Sequence, residues 1–139
     1  MTTYMDATDA NAVALFQRGI SGEIVMLNLL RLRDTADYSN HPQLAPDSPI
    51  TGAEAYERYI KHTLPYLNET GGDLLYLGKG GQYFIGPENE GWDLAMLVRQ
   101  NSLEDFIAFA THEEYLKGVG HRDAAVYDSR ILPLETLPT

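Results

Sequence analysis

Apolar residues alternate with a period of two in four segments of the chain, and each segment predicts a strand. Residues 23–33 carry apolar side chains on both faces of the alternation, and residues 92–99 repeat the alternation. Residues 74–86 and 127–134 supply two more strands, of which the first is expected to be irregular at Gly78, Gly80 and Gly81. Because a strand that is apolar on both faces must be covered on both, the strand at 23–33 is predicted to be buried on two sides.

The first of three predicted helices lies ahead of this strand. Residues 8–19 have apolar positions at helical spacing after Thr8 or Asp9, either of which can cap the helix. With its flanking glycines, this helix makes an N-terminal helical extension at residues 1–22.

The second predicted helix follows residues 34–50, a loop with three prolines and no periodicity. A capping box of Thr51 and Glu54 opens the helix, and Gly71 follows its last turn. Pro65 lies inside the helix and is expected to bend it. Because so long a loop in a compact domain is more often functional than not, we expect it to cover a ligand.

The third predicted helix begins at Ser102, which is a suitable cap. Thr111 and Glu114 repeat the capping-box pattern, so the helix is expected to break and restart there. Gly118 and Gly120 are expected to end it.

The order of elements in residues 23–134 predicts the fold class. Strand, helix, strand, strand, helix, strand is the split βαβ pattern of the ferredoxin-like fold, an α+β fold with an antiparallel sheet and helices on one face. Since the helices cover one face only, the second apolar face needs another cover. The simplest cover is the same face of a second chain, which predicts a homodimer with a shared barrel, the dimeric α+β barrel.

The amino-acid composition excludes several classes of function. A chain of 139 residues with 44% hydrophobic and 22% charged residues is expected to form one domain, at residues 1–139. The absence of cysteine excludes disulfides, thiolate catalysis and cysteine-ligated metals. A net charge of −10 would repel nucleic-acid phosphates, and neither a membrane span nor a signal-peptide pattern is found. We therefore expect a cytoplasmic protein that binds neither nucleic acid nor membrane.

Between residues 23 and 134 the chain resembles the "thirteen-thirty" domain of unknown function. The residues that carry the likeness are Ala55, Tyr56, Tyr59, Pro65, Gly71, Gly72, Glu104, Phe109, Tyr115, Arg122, Asp128, Ser129 and Arg130. That family belongs to the dimeric α+β barrel superfamily, whose members include cofactor-free monooxygenases, isomerases, haem enzymes and small-molecule sensors. The resemblance implies the fold and the dimer, but a fold alone does not select one of these functions.

The predicted topology brings basic side chains to one edge of the sheet. The end of the first strand, the start of the third and fourth strands and the end of the last helix meet there. The residues gathered at this edge are Arg31, Arg33, Trp92, His121 and Arg122. Because arginine forks match carboxylates in two-point contacts, the cluster predicts a pocket for an anionic or carboxylated small molecule. The alternative is that these arginines pair with local acids such as Asp34, Glu90 or Asp123 and hold the loop in place.

Four further residues are candidates for the site. Asn28 is polar within the apolar part of the first strand, and it either orients a ligand or satisfies a bulge or a fixed water. Tyr59 and His62 share a flank of the second predicted helix, where His62 is either a general base or a half-exposed side chain. Ser129, which interrupts the last strand, joins Asn28 and Tyr59 as a candidate substrate-binding residue.

No metal and no organic cofactor are predicted. The four histidines, at positions 41, 62, 112 and 121, lack paired zinc-ligand spacing, and the sequence has no dinucleotide, phosphate-loop or nucleophile-elbow motif.

Three functional hypotheses remain. The first is a cofactor-independent enzyme in which His62 or His121 moves a proton and the arginines hold an anionic substrate. In this hypothesis Asn28 and Tyr59 position the substrate. The second is a non-catalytic ligand-binding or sensor protein that uses the same pocket. The third is a haem-binding or monooxygenase-like member of the superfamily.

Overall fold

The helices and strands follow the predicted order, with one additional helix before the last strand. The computed structural model describes residues 2–139. Its elements are α1 (Asp9–Gln17), β1 (Ile24–Leu32), α2 (Gly52–Glu69), β2 (Asp73–Gln82), β3 (Gly91–Gln100), α3 (Leu103–Ala110), α4 (Glu113–Leu116), α5 (Val119–Ala125) and β4 (Val126–Glu135). A 3-10 turn at Pro42–Leu44 lies in the loop between β1 and α2. Within residues 2–139, every helix is too short or too polar to cross a bilayer.

The four strands form one antiparallel sheet in the order β2-β3-β1-β4. β1 pairs with both β3 and β4, so that Asn28 stands opposite Met96 on one side and Ile131 on the other. β1 therefore lies in the interior of the sheet. The architecture is the ferredoxin-like α+β fold, with α1 as an extra N-terminal helix.

One face of the sheet, which we call the inner face, packs against the helices. The β1 residues on this face are Ile24, Met26, Asn28 and Leu30, and all four are buried. Tyr56 of α2 lies fully buried in the same core as Leu30. One of the two apolar faces of β1 and the apolar side of α2 thus meet in the core.

The opposite, outer face of the sheet is left uncovered by residues 2–139. Val25, Leu27 and Leu29 of β1 are half-buried there, although they are as apolar as their inner-face neighbours. Leu132, which pairs with Leu27 across the sheet, is exposed. Within one chain, helices therefore cover only one of the two apolar faces of β1.

Two predicted boundaries need correction. β2 stops at Gln82, short of the predicted end, because its pairing with β3 ends at the Gln82–Gly91 pair. Gly118 and Gly120 do not end the helical region, since α5 follows Gly118 and contains Gly120. Gly118 instead permits a close approach, because a Cβ at this position would overlap the ring of His62.

The predicted helix caps Thr8, Thr51 and Ser102 are confirmed, and a fourth, Thr111, is corrected. Thr51 and Glu54 form the predicted capping box at the start of α2. The break between α3 and α4 is also confirmed, but its cap is His112, whose Nδ1 accepts from the backbone N–H of Glu114 at 3.1 Å. Thr111 does not cap α4, because its hydroxyl donates back to Ile107 O at 2.7 Å and closes the end of α3.

Candidate functional site

A cavity of about 310 Å³ lies between the inner face of the sheet and the helices. Residues from β1, β3, α2 and the α3–α5 region surround it, and its apolar wall includes Met26, Leu67, Met96 and Phe109. Pockets that hold small molecules span about 300–1,000 Å³ and are mostly apolar with a few placed polar groups. The volume and the lining of this cavity suit a small, mostly apolar molecule.

Two amide side chains face the cavity from the sheet. Asn28 Nδ2 donates to the backbone oxygen of Met26 at 3.0 Å. Gln100 is 1% exposed, and its Oε1 has no hydrogen-bond partner among residues 2–139. A buried polar atom without a partner costs about 1–3 kcal/mol. A hydrogen-bond donor on a bound molecule would remove this cost.

Three tyrosines line the cavity from the helices. The hydroxyl oxygens of Tyr59 and Tyr115 lie 2.8 Å apart, and the hydroxyl of Tyr56 donates to Met96 Sδ at 3.7 Å. Burial raises the pKa of all three phenols. They are therefore neutral at pH 7 and can donate hydrogen bonds to an oxygen atom in the cavity.

Arg122 of α5 brings a positive charge to the cavity lining. Its Nη1 donates to Met5 O at 3.1 Å, and its Nη2 donates to Ser129 Oγ at 3.2 Å. Arg122 lines the cavity together with Tyr59 and Tyr115, and its charge opposes the burial that raises the pKa of both phenols. An anionic group and a hydrogen-bond acceptor could be held together at this end of the cavity.

Residues 4–7, which we call the N-terminal strap, close one side of the cavity. The backbone N–H of Tyr4 donates to Asp128 Oδ1 at 2.9 Å, and the N–H of Ser129 donates to Tyr4 O at 2.9 Å. Residues 5–7 then line the cavity. The segment before α1 therefore contributes to the wall of the site.

One carboxylate at the rim of the cavity is joined to a histidine. Asp123 of α5 lines the cavity, and its Oδ2 lies 3.0 Å from His41 Nε2 in the loop 34–50. The side chains of Asp123 and His41 are 41% and 27% exposed, so the pair contacts both the cavity and solvent. Gly120 allows the imidazole to approach α5, because a Cβ there would lie 2.6 Å from His41 Cγ.

The basic edge cluster is divided between the cavity and a separate cleft. Arg31 stacks on Trp92, with its guanidinium carbon 4.5 Å from the ring centroid, and forms an ion pair with Asp128 at 3.6 Å. Arg31 and Trp92 line a cleft of about 430 Å³ beside the β2–β3 hairpin. Because Arg31 contacts Asp128 and Arg122 contacts Ser129, the two arginines lie at the same end of the sheet, but they border different spaces.

Arg33 and His62 line neither the cavity nor the cleft beside the β2–β3 hairpin. The backbone N–H of Arg33 donates to Ala125 O at 2.8 Å, where the end of β1 meets α5. His62 Nε2 donates to the backbone oxygen of Glu114 at 2.9 Å. The imidazole thereby links α2 to α4.

His121 also lies outside the cavity lining. Its Nδ1 is 2.7 Å from the hydroxyl of Tyr38, which ties the loop 34–50 to α5. Burial, followed by the positive charges of Arg58 and His62, lowers the pKa of His121. Within residues 2–139, no group of three or more histidine or acidic side chains is arranged to hold a metal ion.

The sequence alone did not identify several residues of the cavity. Gln100 falls on the inner-face alternation of β3, which was the available signal for it. Asp123 was considered only as an ion-pair partner for the arginines, and Tyr115 only as a core residue. The role of residues 5–7 had no periodic signal, because an irregular segment gives none.

Comparison with known proteins gives matches among solved structures only. No protein-family model and no curated protein matches the chain. The crystal structure of RPA0582, a protein of unknown function from Rhodopseudomonas palustris, is 34% identical with a TM-score of 0.83, and the match covers 99% of this chain and 100% of that chain. The methylated form of the same protein has the same identity and TM-score, with 99% and 98% covered.

A more distant structure shares the fold. A dimeric protein of unknown function with a ferredoxin-like fold from Bacteroides fragilis is 16% identical with a TM-score of 0.51. The match covers 84% of this chain and 99% of that chain. At this identity the likeness supports the ferredoxin-like architecture and nothing finer.

Proposed function

The chain belongs to the same family as the RPA0582 protein of Rhodopseudomonas palustris, and we propose that it is a homodimer that binds one small molecule in the cavity of each subunit. The likeness to the "thirteen-thirty" domain of unknown function supports placing this family there. In this proposal residues 1–139 form one domain, because the N-terminal strap lines the cavity and the loop 34–50 contacts Asp123 at its rim.

The observation that carries the proposal is the unpaired Gln100 Oε1 in the wall of an apolar cavity. Native proteins satisfy nearly all buried polar atoms, so an unpaired oxygen on a residue that lines the cavity favours a ligand that supplies the missing donor. Asn28 lies on the same inner face of the sheet, so the natural ligand is expected to carry a hydrogen-bond donor on its sheet side, in addition to the carboxylate that it shares with the probes used below.

The ligand is expected to be small and anionic. Arg122 supplies the positive charge, and the neutral phenols of Tyr59 and Tyr115 supply a donor beside it. A small carboxylated molecule with an apolar body matches both this end of the cavity and the apolar wall.

The outer face of the sheet supports the homodimer. Val25, Leu27 and Leu29 form an apolar row that one chain leaves half-buried. The same face of a second chain would cover this row. The Bacteroides fragilis protein of the same fold is described as dimeric.

The test of the binding proposal uses phenylacetate and its uncharged amide, phenylacetamide, as probes in titration calorimetry. We expect Arg122→Gln to weaken phenylacetate binding about tenfold or more, since a charge-assisted hydrogen bond contributes about 1.5–3 kcal/mol. Phenylacetamide binding should change little. Arg58→Gln, on the exposed side of α2, is the matched control that removes a charge away from the cavity.

A second variant separates the cavity from the surface. Ala110 lines the cavity, so Ala110→Phe should fill part of it and abolish binding of both probes while the protein stays folded. Wild-type affinity for both probes in Ala110→Phe would refute the cavity as the binding site.

An acid–base enzyme is the second candidate function. The specific observation in its favour is the Asp123–His41 pair at the rim of the cavity. His62 and His121 stay predictions for proton transfer, although their hydrogen bonds link helices and loops. No histidine of residues 2–139 lines the cavity, so the cavity offers no axial imidazole to a haem.

A further inference from the structure

Two carboxylate–imidazole pairs occur in the part of the chain that the structure describes. Asp123 pairs with His41 at 3.0 Å, and Glu69 pairs with His112 at 3.1 Å. The second pair is on the helical surface and contributes nothing to the cavity lining, whereas Asp123 is part of that lining. A packing or solubility role would account equally for both pairs, but the position of Asp123 at the cavity calls for a chemical explanation.

The charges and donors around Asp123 form an arrangement suited to proton transfer. Arg122 and Asp123 are neighbours in α5, and both line the cavity together with Tyr59 and Tyr115. One hydroxyl hydrogen is used in the bond between Tyr59 and Tyr115, and the pair has a second hydrogen to donate. A base, a neutral donor and a cation thus share one end of the cavity.

We propose that Asp123, oriented by His41, is a general base that removes a proton from the carbon next to the carbonyl of a small 2-oxo carboxylate bound in the cavity. This inference rests on the proposed function, because it requires the cavity to hold a carboxylated ligand. It adds a substrate class, a reaction type and two residues to that function.

The proposed step is balanced without any co-reactant. The Asp123 carboxylate takes the proton, the electrons of the C–H bond form a carbon–carbon double bond, and the carbonyl electrons move to its oxygen as an enolate. The Tyr59 and Tyr115 hydroxyls donate a hydrogen bond to that oxygen, and Arg122 holds the carboxylate. Return of the proton to the oxygen gives the enol, and its return to carbon restores the substrate.

The assignment of the base follows from exposure and hydrogen bonding. The side chain of Asp123 is 41% exposed, so solvent can reach it to exchange a proton between turnovers. His41 fixes one carboxylate oxygen, Oδ2, and leaves the other free for the substrate. We therefore describe His41 as a positioning residue, since its contact to the substrate runs through Asp123.

The experiment follows hydrogen–deuterium exchange at carbon 3 of phenylpyruvate in D₂O by proton NMR, with the full-length protein. We expect wild-type protein to accelerate the loss of the carbon-3 signal over the protein-free rate. Asp123→Asn should lower the exchange rate at saturation by about 10²-fold or more, the usual contribution of a general base. The affinity for phenylpyruvate should stay within about threefold. Asp123→Ser is a second removal of the base with a smaller side chain.

Two further variants test His41 and supply the control. His41→Phe should lower the rate of exchange at saturating phenylpyruvate. His41→Gln keeps a hydrogen-bond donor for the Asp123 carboxylate and should restore most of that rate. Glu69→Gln removes the carboxylate of the other pair and should leave the rate unchanged.

Each outcome separates this inference from the proposed function. Phenylpyruvate that binds to wild-type protein without faster exchange overturns the inference and leaves the binding proposal standing. A wild-type exchange rate in both Asp123 variants also overturns it. If neither phenylpyruvate nor phenylacetate binds, the carboxylated ligand class is wrong and both proposals fall together.

Discussion

Asp128 shows how a single buried charge can hold several segments together. Its side chain is 0% exposed and forms ion pairs with Arg31 at 3.6 Å and with Arg130 at 2.7 Å. The backbone N–H groups of Tyr4 and Ser129 both donate to its Oδ1 at 2.9 Å. The carboxylate therefore joins β1, β4 and the N-terminal strap, which closes the cavity.

The environment of Asp128 determines how its contribution depends on pH. Burial alone would raise the pKa of Asp128, but the N–H of Tyr4 and the guanidinium of Arg130 outweigh burial and lower the pKa below its ordinary value of 3.8. A group with a lowered pKa stabilises the folded state above the unfolded pKa and loses that effect as the pH falls through the folded pKa. The contribution is thus complete at pH 7 and disappears only below about pH 3.8.

We expect Asp128→Asn to lower the free energy of unfolding by about 2–4 kcal/mol at pH 7, because it leaves buried donors and Arg31 without their carboxylate. Urea unfolding at pH 7 and at pH 3 should show the difference from wild type shrinking in acid. Glu114→Gln, which breaks the exposed pair with Lys117, is the control and should change stability by less than about 1 kcal/mol. A loss that is equally large at pH 3 would contradict the electrostatic explanation.

At the residue scale, the sequence predicted the chemistry of the site better than its geometry. Asn28, Tyr59 and Arg122 were predicted as site residues, and all three line the cavity. Arg31 and Trp92 reach the expected edge of the sheet but border another cleft. The order of strands and helices predicts which residues reach one edge of the sheet. The direction of each side chain depends on tertiary packing, which the hydrophobic pattern of the sequence does not contain.

At the scale of elements, the close approach of α2 to β1 and α5 depends on one glycine. The N–H of Gly52 donates to Arg33 O at 3.1 Å at the start of α2. A Cβ at Gly52 would overlap Arg33 O and lie 2.9 Å from Ala125 O. Because both neighbours are backbone atoms, they cannot move aside without shifting β1 or α5.

Gly52→Ala is therefore expected to destabilise the protein by about 2–3 kcal/mol through overpacking, although alanine is normally preferred in helices. Thermal and urea unfolding measure the effect. The matched control is Gly81→Ala in β2, where a Cβ would meet no atom within 4 Å and should change stability by less than about 0.5 kcal/mol. Equal stability of the two variants would mean that α2 can move away from β1 at little cost.

The elements themselves were predictable where the pattern was periodic. The strands β1, β3 and β4 and the helix α2 were predicted close to their observed limits, because each combines a clear period with a cap or a turn. α5 was missed, since Gly118 and Gly120 normally signal the end of a helix. These glycines serve close contacts to His62 and His41 instead, and such tertiary contacts leave no local signal.

At the scale of the whole molecule, the outer face of the sheet is the largest feature that one chain leaves unexplained. Leu97 lies at its centre, pairing with Leu27 on one side and Tyr76 on the other. Beyond the end of β2, Phe84 and Ile85 are 101% and 88% exposed in the hairpin. A chain with a net charge of −10 has no shortage of polar residues, so this concentration of apolar side chains favours contact with a second copy.

Leu97→Glu places a charge at the centre of this face, and in the proposed dimer it would bury two carboxylates without partners on the two-fold axis or close to it. Because an unpaired buried charge costs several kcal/mol, we expect the variant to be monomeric in light scattering at micromolar concentration while the wild type is a dimer. The circular dichroism of the variant should stay that of a folded protein, since Leu97 belongs to the outer face and not to the helix-packed core.

Leu116→Glu, at a half-exposed leucine on α4, adds the same charge on the helical side and should remain dimeric. A dimer that survives Leu97→Glu but dissociates in Leu116→Glu would move the interface from the sheet to the helices, and a wild-type monomer would remove the dimer from the proposed function.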